Sequence, residues 1–224
     1  MKSPQTPYQD GVFVKIGKFI GLLIALFLPQ LCLLLPMYTK VPALLSWLLF
    51  GGSYFLLYVL YINFYHKYRT ETIQKLDRKA WITIGWGYVV MFIAKFAFSS
   101  LNIAISHQQV TENDQAIMNL IGGQNRNIAL MTIMMGVFFA PLAEELLFRG
   151  ILMNMFFKHR FWLSVLLSGL VFGLSHSNST WTGALLYIAL GAILGFIYKR
   201  TNNLKITLVL HFLNNAPMLI YLFM

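Results

Sequence analysis

The sequence is poor in charge and nearly devoid of cysteine. Of its 224 residues, 17 are basic, 7 are acidic, and Cys32 is the single cysteine. One thiol excludes an intrachain disulfide and a cysteine-based zinc cluster, and it leaves no redox compartment to be read. The shortage of charge excludes a disordered chain and weighs against a soluble globular protein, because too few polar groups remain to cover one. No internal repeat or low-complexity tract interrupts the chain. What is present is apolar: 58% of residues are hydrophobic, against about 45–50% in a typical soluble domain. The mean hydropathy is +0.67. Lipid is the expected solvent for most of the surface.

A membrane-crossing helix needs roughly 20 mostly apolar residues. Runs of that kind lie at Phe19 to Pro36, Val41 to Phe64, Trp81 to Ile105, Ile128 to Phe157, Phe161 to His176, Trp181 to Tyr198 and Ile206 to Met224. The expectation is an all-α, polytopic membrane helical bundle of seven transmembrane helices, or eight if Pro141 breaks the long fourth run by removing a backbone donor. The 1–224 chain reads as one membrane domain, with N-terminal spans and loops over 1–127 and a motif-bearing core over 128–224. Lys15 and Lys18 before an apolar stretch resemble a secretory signal. No small-x-small cleavage site follows, so a retained anchor is expected. Leu31 before Cys32 disfavours lipidation. The polar stretch from Ser106 to Asn127 has room for a short surface helix.

The formal charge of +10 would suggest nucleic acid in a soluble protein, but basic residues also collect in cytoplasmic loops. With the N-terminus inside and seven alternating spans, thirteen basic residues fall on inner segments and two, Lys40 and Arg126, on outer ones. The inner set includes Lys2, Lys158, Arg160, Arg200, Lys205 and the basic loop from His66 to Lys79, which is suited to anionic head groups. The bias predicts a multi-pass integral membrane protein with a cytoplasmic N-terminus, the lipid bilayer as a partner, and no nucleic acid.

Five acidic residues, Asp10, Glu71, Asp77, Glu112 and Asp114, fall in polar loops. Glu144 and Glu145 instead sit in an apolar run, where an ionised carboxylate costs several kcal/mol and is a functional hypothesis by default. On a helix, Glu145 and Arg149 share a face and suit a buried ion pair, while Glu144 is rotated about 100° away and left free to react. His176 ends the run from Phe172 and would share its face, and His211 shares one with Asn215. Imidazole relays protons near neutral pH, and an amide can donate to an oxyanion. Each feature also has a plain structural reading, as an interhelical hydrogen bond or a transport-path charge. Lys95 sits mid-span and can snorkel or neutralise a partner. Met131, Met134 and Met135 read as packing, and His66, His107 and His159 as loop residues.

The ordered set Glu144-Glu145-x-x-x-Arg149, Phe172-x-x-x-His176 and His211-x-x-x-Asn215, each on a hydrophobic segment, resembles the CPBP family of intramembrane proteases, the CAAX prenyl protease 2 and bacteriocin-processing (Abi) group. The match covers about the C-terminal 100 residues. The resemblance implies an intramembrane endopeptidase acting on a short peptide or a membrane-associated protein. It further implies Glu144 as general base with His176 holding the water, His211 and Asn215 as the oxyanion site, Glu145 and Arg149 supporting Glu144, and Phe172 packing near His176. A metal version would use Glu144, His176 and His211 as zinc ligands with an open position for water. No His-Glu-x-x-His helix demands metal and no Gly-x-Ser-x-Gly marks a serine nucleophile, so the preferred expectation is a water-based scheme with no required cofactor. A peptide-binding or bacteriocin self-immunity protein of the same fold is the alternative, and a proton-coupled transporter is a third class, disfavoured by the lack of an inverted repeat. The compact length resembles bacterial members and implies a bacterial cell membrane.

Counted from the nearest inner basic residue at about 1.5 Å per residue, Glu144 lies about 21 Å deep, His176 about 24 Å and His211 about 9 Å. Counting from Arg200 gives His211 about 16 Å. One site requires these depths to converge.

Overall fold

The computed structural model describes residues 10–38, 40–69 and 75–223. Lys2, Glu71 and Met224 lie outside the described residues. The helices are α1 (Val12–Tyr38), α2 (Ala43–Tyr68), α3 (Arg78–Ser106), α4 (Glu112–Ile121), α5 (Arg126–Phe157), α6 (Phe161–Leu174), α7 (Trp181–Thr201) and α8 (Leu204–Asn215), followed by a 3₁₀ turn over Ala216–Leu222. No strand occurs among the described residues. The protein is an all-α integral membrane bundle.

Five of these helices, α1, α2, α3, α5 and α7, are long and apolar enough to cross a membrane. Their burial separates them into two kinds. In α5 and α7, 56% of the most apolar window is buried, against 11% in α3. The outer helices therefore turn Phe55, Trp86, Phe92 and Phe96 outward, as lipid permits and water would not. Two apolar clusters hold the bundle. One joins α1, α2 and α5 through Leu22, Phe50, Tyr54, Leu147 and Phe148, and the other joins α3, α7 and α8 through Ile84, Met91, Leu190, Leu194 and Leu210. A cavity lies between them.

Local chemistry sets the helix ends. Asp77 caps α3 by accepting from the Ala80 N–H at 2.8 Å, and Thr111 caps α4 by accepting from the Asp114 N–H at 3.2 Å, as short polar side chains do for orphan donors. Asp10, just before α1, accepts from Lys18, Lys67 and Tyr68 and ties that end of α1 to the end of α2.

Several expectations about the spans are corrected. The fourth run is not split at Pro141, so the eight-span count falls away. α5 instead carries two π-type stretches, Met135–Phe139 and Glu145–Leu152, on either side of Ala140–Glu144. The Ala140 N–H reaches back to the Met135 carbonyl, and the wider π pitch would assign the next carbonyl, that of Gly136, to residue 141. Proline has no N–H to give. The helix thus absorbs Pro141 by leaving the Gly136 carbonyl to another donor. The last run is not one 19-residue span: α8 stops after 12 residues and tightens into 3₁₀ geometry at Ala216 and Pro217, because Pro217 cannot continue the α-helical ladder. α6 has 14 residues and ends at Leu174, so His176 lies beyond the helix and does not share a helical face with Phe172.

α6 lies against α7 at backbone distance. A Cβ at Gly173 would sit 2.7 Å from the Ile188 nitrogen, and one at Gly169 would sit 2.8 Å from the Ala192 nitrogen. Small residues allow such approach in lipid, where helix association depends on packing.

Candidate active site

The π-type stretch opening at Glu145 carries the buried charges. Glu145 and Arg149 are fully buried, with Oε1 and Nη1 3.2 Å apart. The guanidinium also donates from Nη2 to the Gly191 carbonyl at 2.9 Å and lies over the Phe172 ring, 4.7 Å from its centroid. The expected ion pair is present, and it neutralises one carboxylate of the two. Oε2 of Glu145 and Nε of Arg149 are buried without a hydrogen-bond partner among the described residues. Glu145 thus depends on the few contacts that it has.

His211 supplies one of them from α8. Its Nδ1 lies 3.0 Å from Glu145 Oε1, and an arginine-paired carboxylate only accepts, so Nδ1 carries a proton. Its Nε2 is 3.6 Å from Glu144 Oε2, just beyond hydrogen-bond length. Glu144 keeps 13% of its side chain exposed and reaches the cavity, as its rotation away from Glu145 predicts.

His176 is held in a different way from the one expected. Its Nδ1 lies 2.8 Å from the Phe172 carbonyl, which can only accept, so the neutral ring is protonated at Nδ1 and offers a lone pair at Nε2. Its ring packs against Phe172 at 4.7 Å between centroids and stacks on Tyr187 at 4.4 Å and 12°. The Phe172 contact is real, but the loop after α6 makes it, with the backbone as anchor. Asn215 donates from Nδ2 to the Gly136 carbonyl at 2.8 Å, filling the gap left by Pro141, and accepts from Asn214 through Oδ1. One amide N–H remains.

Glu144, Phe172, His176, His211 and Asn215 all line one cavity of about 230 Å³. Glu145 and Arg149 lie behind it. The disparate depths counted along the sequence do not prevent convergence, because α6 and α8 are short elements and not full spans. Lys95 also lines the cavity from α3, with no ion pair among the described residues. No group of three His, Cys, Asp or Glu side chains among the described residues is gathered closely enough to hold a metal ion. Nδ1 of each imidazole is engaged and Nε2 is left open, as in a metal-ligating histidine, but Glu144, His176 and His211 are not gathered closely enough in this arrangement to form a three-ligand site.

Sequence reasoning passed over two contributors. Asp114, read as a loop residue, lies on α4, lines the cavity and accepts from the Tyr187 hydroxyl at 2.8 Å. Tyr187 lies in an apolar helix, where a tyrosine carries no sequence signal for a site. Glu112 likewise belongs to α4.

A fully buried ion pair, a cavity-facing carboxylate and two imidazoles define a class: polytopic membrane proteins with ionisable groups gathered inside the bundle. Residues 125–217, less than half of the chain, match the family described as type II CAAX prenyl endopeptidase Rce1-like. A Bacillus subtilis (strain 168) protein named "Putative membrane peptidase YdiL" is 30% identical over 143 residues, 60% of this chain and 54% of its own length. The chain thus spans about half the length of the curated relative that it matches. No solved structure gives a significant match.

Proposed function

We propose that the protein is an intramembrane endopeptidase that hydrolyses a peptide bond in a short peptide or membrane-associated protein, with residues 128–224 as its catalytic core. The observation that carries this reading is the Glu144 carboxylate, which faces the cavity while its neighbour Glu145 is held by Arg149. Peptide hydrolysis requires a base, donors for the tetrahedral oxyanion and an acid for the leaving amine. Water sits between Glu144 and Nε2 of His176. Glu144 removes a proton as the water oxygen bonds to the scissile carbon, and the carbonyl π electrons move to oxygen. The oxyanion accepts from Nε2–H of His211, whose ring in this step carries a proton on each nitrogen, and from the remaining N–H of Asn215. Glu144 then returns its proton to the amide nitrogen as the C–N bond breaks. Glu145 fixes the Nδ1 side of His211 and Arg149 fixes Glu145.

No step is routed through metal, since the donor set does not gather. Loss of activity on chelation, restored by zinc with stoichiometric binding, would overturn the metal-free scheme. The charge bias along the sequence supports a cytoplasmic N-terminus.

The test is peptide cleavage in proteoliposomes, using peptides that accumulate in membranes of cells carrying Glu144→Ala. Glu144→Ala, His176→Ala and His211→Ala should each abolish cleavage while the protein stays folded in the membrane. Full activity of Glu144→Ala would refute the mechanism. Peptide binding without any cleavage by the wild type would establish the self-immunity or peptide-binding reading in its place.

A further inference from the structure

His176 has no helix to hold it. It follows the end of α6, and one hydrogen bond, from Nδ1 to the Phe172 carbonyl, fixes one edge of the ring. A ring hinged at one edge still tilts. The opposing surface is Tyr187 of α7, nearly parallel to the imidazole at 12° with centroids 4.4 Å apart. Tyr187 is itself held at its far end. Its hydroxyl donates to Asp114 Oδ1 at 2.8 Å and accepts from Asn113 Nδ2 at 3.2 Å. Thr111 Oγ1 lies 2.9 Å away and must act as donor, because the single hydroxyl hydrogen is already used. One donor and two acceptor positions are thus filled by three side chains that open α4. A fully satisfied polar group buried at 7% exposure has little freedom to move.

We propose that Tyr187 is a positioning residue for His176, and that the start of α4, through Thr111, Asn113 and Asp114, clamps Tyr187 so that the imidazole presents Nε2 to the cavity. The inference rests on the peptidase reading for its catalytic consequence and on geometry alone for the clamp. α4 is then more than a connection across the surface: it completes the active site from outside the motif-bearing segments. The stacked face limits tilt, the Phe172 carbonyl limits rotation, and together they leave the ring one orientation. A misplacement of about 1 Å in such a group lowers rates by up to about a hundredfold.

The experiment compares Tyr187→Phe, which keeps the ring and loses the hydroxyl, with Tyr187→Leu, which loses the stacking face. Full-length protein in liposomes is assayed for kcat and KM. In parallel, His176 is carbethoxylated with diethyl pyrocarbonate and its modification rate read by mass spectrometry, which requires no turnover. Tyr187→Leu should lower kcat by about tenfold or more with KM changed less than about twofold, and should raise the His176 modification rate at least about threefold. Tyr187→Phe, which keeps the stacking face and loses all three hydroxyl contacts with α4, should lower kcat less than Tyr187→Leu does and should raise the His176 modification rate to a value between those of wild type and Tyr187→Leu. Asp114→Ala should raise the modification rate to a value between those of wild type and Tyr187→Leu. An unchanged modification rate in Tyr187→Leu overturns the positioning role, and a Tyr187→Phe protein that modifies His176 at the wild-type rate overturns the clamp. A faster modification rate in Tyr187→Leu, with no cleavage by the wild type, would retain the clamp and refute the peptidase reading.

Discussion

Replacing Arg149 with methionine isolates what the buried ion pair contributes. The side chains are similar in length, so packing changes little, but Glu145 loses the guanidinium 3.2 Å from its Oε1. At an effective dielectric of about 20, that contact corresponds to about 5 kcal/mol of attraction. The hydrogen bond to the Gly191 carbonyl, worth about 1.5–3 kcal/mol for a charged donor, and the contact over Phe172 disappear with it. The two energies do not simply add, because burying the pair has its own desolvation cost. Removing one member of a buried pair destabilises by about 3–5 kcal/mol in total, and Tm should fall by roughly 6–20 °C for a chain of this size. The assay is thermal unfolding of purified protein in detergent, followed by tryptophan fluorescence. The double variant Glu145→Gln with Arg149→Met leaves no uncompensated charge, and it should be more stable than Arg149→Met alone by about 2 kcal/mol or more. An Arg149→Met protein within about 1 kcal/mol of wild type would refute the reasoning, as would a double variant that recovers nothing.

Two further outcomes are expected. Gly173→Ala would place a methyl group 2.7 Å from the Ile188 backbone nitrogen, forcing α6 off α7. It should destabilise by about 1–3 kcal/mol and impair His176 just beyond it, whereas an unchanged Tm would show that α6 shifts without cost. Asp10, hydrogen-bonded to Lys18, Lys67 and Tyr68, is pulled down to a pKa of about 2. A depressed carboxylate contributes stability above its unfolded pKa and loses it as pH falls through the folded value. Hydrogen exchange at the start of α1 should therefore stay protected at pH 4 and speed up only near pH 2, and Asp10→Asn should remove that protection at neutral pH. Exchange that accelerates near pH 4 in the wild type would contradict the ion-pair assignment.

Much of the architecture was legible because lipid imposes it. Apolar runs have to become helices, and charges that remain inside them have to find partners, so Glu145 and Arg149 could be paired from spacing alone. The free Glu144 followed from its rotation about the same helix axis. The arrangement around His176 was not legible. A period of four residues is informative only while a helix continues, and α6 stops at Leu174. Nor did spacing anticipate the effect of Pro141, because a proline that breaks a helix in isolation can be absorbed by a change of pitch when neighbouring side chains satisfy the freed group. The long-range contacts of Tyr187 depend on α4 folding back over the bundle, and no local pattern encodes that return.

The carbonyl that Pro141 leaves open at Gly136 has a counterpart in the Asn215 amide, 79 residues away. Since α5 carries Glu144 and α8 carries both His211 and Asn215, this one bond acts as a latch between the proposed base and its proposed opposing donors. Before α8 docks, the α5 carbonyl lacks its amide donor and Glu145 lacks its imidazole. The same docking event satisfies both, so under the proposed mechanism assembly of α8 and assembly of the proteolytic centre coincide, and a bundle without α8 has carboxylates but neither the imidazole nor the amide that faces them.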